Sequence, residues 1–461
     1  MLNSASTQVR NLHNGTFAVG LVGLLCAVIA ACGGSASTDG GLDGSDGNAC
    51  SANGAASVVI TVAGLPAMVL ANVEVVGPGA PQTVTQSRAL SGLPTGTYTV
   101  RALRVTDADP LVRTLYVPTV SVGDSAFCLS DGVVRTITVT YAAVPSSNKL
   151  WTGNGSGGSA RLLAFASSTL RASGTPAATV AAQSPAGSEV AFDRDGNLWS
   201  QGGTTADPTL VRFPSAILGT SGTKAWDVGI TVPSIACIPT VRAIAFDRNG
   251  NLWLSACGGR VVQLGASQLA VTGDVTPAIV LTGLTANEDL AFDTGGNLWM
   301  AVAGLLERRD VAHLAASGAP PADRTLTCRN STNSQMLSAT SLAFDRSGNL
   351  WGVDFGSNTF FQVRASDLAG TGSATVTAAV SIVVDVLAVL DRPAFDDAGG
   401  LWFAYRAGRI ARLSPAQLMT SVPAGSAPTP EVVLTSPDIG SAKSVAFFPA
   451  AAGLPLYHSV P

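Results

Sequence analysis

The nonapeptide Ala191-Phe192-Asp193-Arg194-Asp195-Gly196-Asn197-Leu198-Trp199 recurs, nearly unchanged, four more times along the chain. The copies are Ala245–Trp253, Ala291–Trp299, Ala343–Trp351 and Ala394–Trp402, and a degenerate sixth begins at Ala446-Phe447. Their starts fall 46 to 54 residues apart. A period near fifty with several strands per unit is the pattern of a β-propeller, in which each unit is one radial sheet.

Working outward from the nonapeptide, each unit resolves into strands. Ala-Phe is an inner strand, Asp-x-x-Gly a tight turn, and Asn-Leu-Trp the start of the second strand. Gly196, Gly250, Gly296, Gly348 and Gly399 take the turn place that needs positive φ, which glycine adopts most cheaply. The aspartates before them cap the turn through the backbone. A third strand follows at Leu210–Phe213, Val261–Leu264, Phe360–Val363 and Ile410–Leu413. A Ser/Ala-x-x-Leu turn then leads to outer runs such as Ile279–Leu281 and Val432–Leu434. Lys149-Leu150-Trp151 begins at a second strand, with no Ala-Phe before it. Ser444-Val445-Ala446-Phe447 is an inner strand without a following repeat. Joined, the two fragments complete one sheet and close a ring of six, which protects the sheet edges. Asp193–Asn197 has the look of a calcium loop, but the later glutamate of an EF-hand is missing, so it reads as a hairpin.

Ala-Phe-Asp-x-x-Gly-Asn-Leu-Trp resembles the repeats of the NHL, gluconolactonase/regucalcin and streptogramin-lyase group of six-bladed propellers. The likeness covers residues 146–461. It concerns the residues that pack the sheets, so the repeated Gly, Asp, Phe and Trp are read as structural.

Residues 50–145 read as a separate small β-sandwich. Ser57–Val62, Val73–Val76, Tyr98–Leu103, Leu115–Val122 and Val133–Tyr141 are strand-like and are separated by Gly and Pro. Leu90-Ser-Gly-Leu-Pro-Thr-Gly-Thr-Tyr98-Thr-Val100 resembles the turn-and-strand of carboxypeptidase-regulatory-like modules with a transthyretin- or immunoglobulin-like fold. There Pro-x-Gly turns the chain and Tyr98 anchors the next strand. Ala142–Asn148 is expected to link sandwich and propeller.

The first residues belong to targeting. Phe17–Ala31 is apolar but too short for a membrane span. It ends in Ile29-Ala30-Ala31-Cys32, which resembles the lipobox of bacterial lipoproteins; the resemblance implies lipidation of Cys32 after loss of residues 1–31. Residues 33–49 form a Gly/Ser/Asp tether. Gly33 rather than aspartate after the cysteine favours an outer-membrane anchor over retention at the inner membrane.

Only 12% of the 461 residues are charged, the net charge is −4, and no Lys/Arg run appears, which argues against nucleic-acid binding. An exported chain meets an oxidising compartment, so the remaining cysteines are expected to pair. Cys50 with Cys128 would clip the sandwich, and Cys237 with Cys257 would join the ends of adjacent strands, leaving Cys328 odd. No CxxC pair exists, and only His313 and His458 lie beyond the leader, so a cysteine–histidine metal site is not expected.

Propeller ligands meet the channel mouth, where the inner strands begin. The two residues before the apolar position that precedes each Ala-Phe pair are Ser188-Glu189, Arg242-Ala243, Glu288-Asp289, Thr340-Ser341, Asp391-Arg392 and Lys443-Ser444. Glu189, Arg242, Glu288, Asp289, Asp391, Arg392 and Lys443 are therefore the candidate ligand-binding residues. The competing reading is a solvated ring of compensating ion pairs. Gluconolactonase-like relatives hold a divalent ion at this place, and the resemblance implies Glu189, Glu288 and Asp289 as oxygen ligands for calcium or a similar cation. Streptogramin lyases need channel histidines, which this sequence does not offer. The expectation is a monomeric, lipid-anchored propeller that binds a partner protein, glycan or small molecule without catalysis and without a cofactor. The alternative is a metal-dependent hydrolase or lyase working at the mouth.

Overall fold

A computed structural model describes residues 54–154, 162–184, 186–202, 209–235, 241–256, 258–285, 287–384, 392–405 and 408–458. The regular secondary structure of the described part is almost wholly strand, in line with the abundance of β-branched residues and glycine.

After Lys149 the described residues build six sheets of four to six strands. Their inner strands are Ala186–Phe192, Val241–Phe246, Asn287–Phe292, Ala339–Phe344, Ala394–Phe395 and Ala442–Phe448. Each pairs antiparallel with a second strand that carries the repeat tryptophan. The sheet opened by Lys149–Asn154 takes its inner strand from Ala442–Phe448, with Leu150 opposite Phe447. This is the splice read from the two fragments. The Ser/Ala-x-x-Leu segments wind into single turns such as Ala266–Ala270 and Ala365–Leu368. Several following connections then lend a short parallel strand to the rim of the preceding sheet, for example Gly273–Asp274 beside Val228–Thr231.

The ring is held by apolar seams between neighbouring sheets, and the nonapeptide supplies both sides of each seam. The tryptophan of one unit meets the phenylalanine of the next edge-on: Trp151 with Phe192 at 6.0 Å, Trp199 with Phe246 at 6.3 Å, Trp253 with Phe292 at 5.9 Å. Trp351 with Phe395 and Trp402 with Phe447 continue the pattern at 6.1 and 6.4 Å. Such pairs add about 0.5–1.5 kcal/mol each beyond the area they bury. All six repeat tryptophans are buried. In Trp199, Trp253, Trp299, Trp351 and Trp402 the indole N–H donates to the carboxylate of the same unit's turn aspartate, at 2.8–3.2 Å. Asp193 shows why the turn needs this residue: Oδ1 accepts from the backbone N–H of Asp195 and Asn197, and Oδ2 accepts from the Asn197 amide and Trp199. Asn197 in turn accepts from the N–H of Ser215, tying the hairpin to the next turn of chain. A hairpin network of this kind leaves no bare oxygen cage.

The fifth unit departs from the pattern, with Gly400 in place of the asparagine. The guanidinium of Arg412 fills the space a side chain at Gly400 would need, and its Nε donates to Asp396 at 2.6 Å.

The sandwich comprises two sheets, one formed by Arg88–Pro94, Ala55–Ala63, Val134–Ala143, Leu115–Val120 and Val105–Thr106, the other by Gln82–Val84, Val73–Val76, Gly96–Ala102 and Ala126–Leu129. Both sheets contribute to a single core containing Val58, Ile60, Val75, Tyr98, Phe127 and Ile137. Tyr98 is buried, stacks on Phe127 and donates its hydroxyl proton to the Pro94 carbonyl at 2.7 Å.

Sandwich and propeller form one compact unit over Cys50–Pro461. Val112 and Leu115 of the sandwich are wholly buried in the two seams that flank the splice sheet. Arg113 pairs with Asp397 at 3.1 Å, and Arg104 pairs with Asp195. The connecting residues are docked: Ser146 donates to the Gly196 carbonyl, and Trp151 donates to the Ser146 carbonyl. The sandwich thus sits on the hairpin face of the ring, away from the mouth.

Candidate functional site

The apolar position and the Ala-Phe pair of the inner strands wall a central channel, leaving a cavity of about 110 Å³. Alanine recurs at the crowded axis, while the phenylalanines turn into the seams.

At the mouth, Arg392 reaches across the channel. Its Nη1 donates to the Ile244 carbonyl at 2.8 Å and its Nη2 to the Leu290 carbonyl at 3.0 Å. It also lies 3.1 Å from Asp289 and 3.6 Å from Glu189. Asp289 accepts the backbone N–H of Leu290 at 2.7 Å and that of Leu342, on the next inner strand, at 2.8 Å. One arginine and one aspartate, from two sheets, therefore tie in inner strands from three others. Asp289 is only 2% exposed. Burial pushes its carboxyl up from the usual range, against the pull of Arg392 and the two N–H donors. Arg242 and Glu288 form a separate ion pair on the rim, with side chains 46% and 34% exposed. Lys443 is half-buried on the strand Ala442–Phe448. Asp391 lies outside the described residues.

Of the expected mouth residues, the structure thus gathers Glu189, Asp289 and Arg392 into one knot and sets Arg242 with Glu288. For a cation the fit is poor. Among the described residues no three His, Cys, Asp or Glu side chains come together as a metal group. Arg392 occupies the space between Glu189 and Asp289, where its own positive charge stands in for an ion. Asn287, one place before Glu288, is buried and donates to Ser255 Oγ and the Arg260 carbonyl, both at 2.8 Å.

The other end of the channel is closed differently. After the splice strand the chain returns beneath the ring, and Leu454–His458 line the bottom of the cavity. Tyr457 stacks on Phe246 at 5.5 Å, and the His458 imidazole lies 6.0 Å from Phe192 and 6.3 Å from Phe448. His458 keeps some exposed surface, but burial of its ring pushes the pKa down to about 4, against hydrogen bonds to the Phe447 and Phe192 backbone. The expectation that the sequence offers no channel histidine is corrected here: His458 lines the cavity, because the tail folds back under the ring, and no motif near it signals that return. His313 pairs with Asp323 at 2.8 Å on an outer turn, remote from the channel wall.

The same plug floors a second, larger space of about 860 Å³ between the sandwich and the hairpins. Arg101 and Arg104 enter it from the sandwich, and Arg194, Arg248 and Asp293 from the hairpins. Arg194 and Arg248 occupy a variable position of the Asp-x-x-Gly turn, and nothing in the repeat marks them as cleft residues. The available signal was that a turn does not require arginine there, as Thr294 in the third copy shows.

Cys128 is disulfide-bonded, while Cys32, Cys50, Cys237 and Cys257 lie outside the described residues. Cys328 is free and buried, and burial pushes its thiol up to about 12, far from the thiolate a nucleophile requires. Among the described residues no helix is long and apolar enough to cross a membrane.

The sheets and their closing splice define the chain as an all-β propeller with an appended β-sandwich. No protein-family model and no curated protein matches it. Solved structures similar to it include a streptogramin B lyase, 14% identical over 60% of this chain and 76% of that one, with a TM-score of 0.35. Virginiamycin B lyase from Staphylococcus aureus is 13% identical over 68% and 85%, with a TM-score of 0.35. A protein of unknown function from Bacteroides caccae is 9% identical over 62% and 98%, with a TM-score of 0.39. No residue role is carried over from them.

Proposed function

We propose that the protein is a lipid-anchored envelope propeller that binds a ligand or partner and performs no chemistry on it. The observation that supports this most is the knot at the mouth. Glu189 and Asp289, the carboxylates best placed for catalysis or for a metal, face Arg392 instead of the channel's open space. General acid–base work needs a group free to exchange a proton with a substrate, and metal chemistry needs an open coordination position. The lipobox at Cys32 and the tether behind it support an outer-membrane anchor.

The test is a thermal melt of the full-length protein in detergent with EDTA, then with millimolar Ca²⁺, Mg²⁺ or Mn²⁺. The expected result is the same melting temperature throughout. An ion at a hundred times its dissociation constant would add about 2.7 kcal/mol. A saturable shift of that size, lost in Glu189→Gln or Glu288→Gln, would overturn the reading and make lactone and ester substrates the next screen. For the anchor, Cys32→Ser is expected to move the protein from the membrane to the soluble fraction.

A further inference from the structure

We infer that the ligand site is the cleft between sandwich and hairpins, and that it takes an anion carrying at least two carboxylate or phosphate groups. This deepens the binding reading above and rests on it.

Four arginines converge on the cleft from two parts of the fold, in a chain with only 26 basic residues and a net charge of −4. Arg104 is committed to structure: it donates to the Arg194 carbonyl at 2.5 Å and pairs with Asp195, clamping the first hairpin against the sandwich. That clamp leaves the exposed Arg194 side chain facing the cleft. Arg248 lies along the neighbouring hairpin beside Gly296. Neither Arg194 nor Arg248 has an ion pair among the described residues. One negative group, Asp293, lines the cleft with them. Asp293 already accepts from Asn297 and Trp299, and Glu74 stands opposite Arg101 on the sandwich sheet. The balance stays positive. Guanidinium groups present paired N–H donors that match the two oxygens of a carboxylate or phosphate. The volume suits a compact ligand or the end of a chain, and clefts between folded parts are common ligand sites.

The test is calorimetric titration of the full-length protein with tri-galacturonate and, separately, with tripolyphosphate at 50 mM salt. Saturable binding of either probe is expected, weakening as salt rises. Arg194→Ser and Arg248→Ser should each weaken it about tenfold, while Arg364→Ser, on the outer turn of another sheet, should leave it unchanged. The stronger probe identifies the source as a uronate or a phosphate. No saturable binding of either probe, or affinity within twofold in the Arg194→Ser/Arg248→Ser double variant, would overturn the inference. Probe bound but cleaved would sink the non-catalytic reading and keep the site. No probe bound and no metal shift would do the reverse.

Discussion

The two ends of the channel are closed with opposite chemistry. At the mouth a buried ion pair and four backbone bonds draw inner strands together. At the hairpin end an aromatic and a neutral imidazole lie on three phenylalanines, held by ring contacts with two backbone bonds added. The first closure is directional and fails if one partner is removed. The second is a packed surface whose weak point is a proton. The difference matters for function, because the mouth is locked into the fold while the hairpin end borders the arginine cleft.

Removing the lock should have the largest effect. Arg392→Leu leaves Asp289 buried without its partner and two carbonyls without donors, and is expected to cost about 3–5 kcal/mol in urea denaturation. Adding Asp289→Asn, which removes the charge but keeps an oxygen for the Leu290 and Leu342 N–H groups, should recover part of that loss; a single variant as stable as the parent would mean that the mouth is not a lock at all.

The hairpin end should answer to pH. The folded pKa of His458, about 4, lies below the unfolded value near 6.5, so the unfolded chain takes up the proton first. Stability from this group is full above about pH 6.5 and falls as the pH drops towards 4. With its partial exposure discounted, the loss is on the order of 2 kcal/mol. Denaturation curves of the parent and His458→Phe at pH 7 and pH 4.5 should diverge by that amount; parallel losses would place the acid sensitivity elsewhere. Tyr457→Ala should cost about 1–1.5 kcal/mol at neutral pH through the lost stack on Phe246, read as a shift in urea midpoint. The smallest effect is expected on the rim. Arg242→Ser breaks a half-exposed ion pair and should change stability by at most about 0.5 kcal/mol, less still in high salt. A larger change would make the rim pair part of the lock.

Much of the architecture could be read from the nonapeptide, because the residues that recur are those that make every sheet alike. Trp and Phe form the seams, Asp and Gly form the turn, and Lys149-Leu150-Trp151 with Val445-Ala446-Phe447 expose the splice. The start of each inner strand could be located by register, since it lies at a fixed distance before Ala-Phe. The partners of the residues there could not. Arg392 bonds to Ile244 and Leu290, about 148 and 102 residues away in sequence, and nothing local encodes a reach across a channel. Pro455-Leu456-Tyr457-His458 carries no repeat, so its return under the ring depends wholly on tertiary packing. The docking of the sandwich was hidden for the same reason. Leu115 looks like an ordinary strand residue and Val112 like a loop residue until the seams they fill are seen.

The splice has a consequence in time. Lys149 pairs with Phe448, about 300 residues further along the chain. At a synthesis rate of about 5–20 residues per second, the strand Lys149–Asn154 waits roughly 15–60 s for its partner to be made. Through that interval the growing array has two open edges, and Trp151 has no inner strand beside it. Ring closure is therefore a late event, and a chain cut short by even twenty residues before Phe448 would be left as an unclosed array with a sticky edge rather than as a slightly smaller ring.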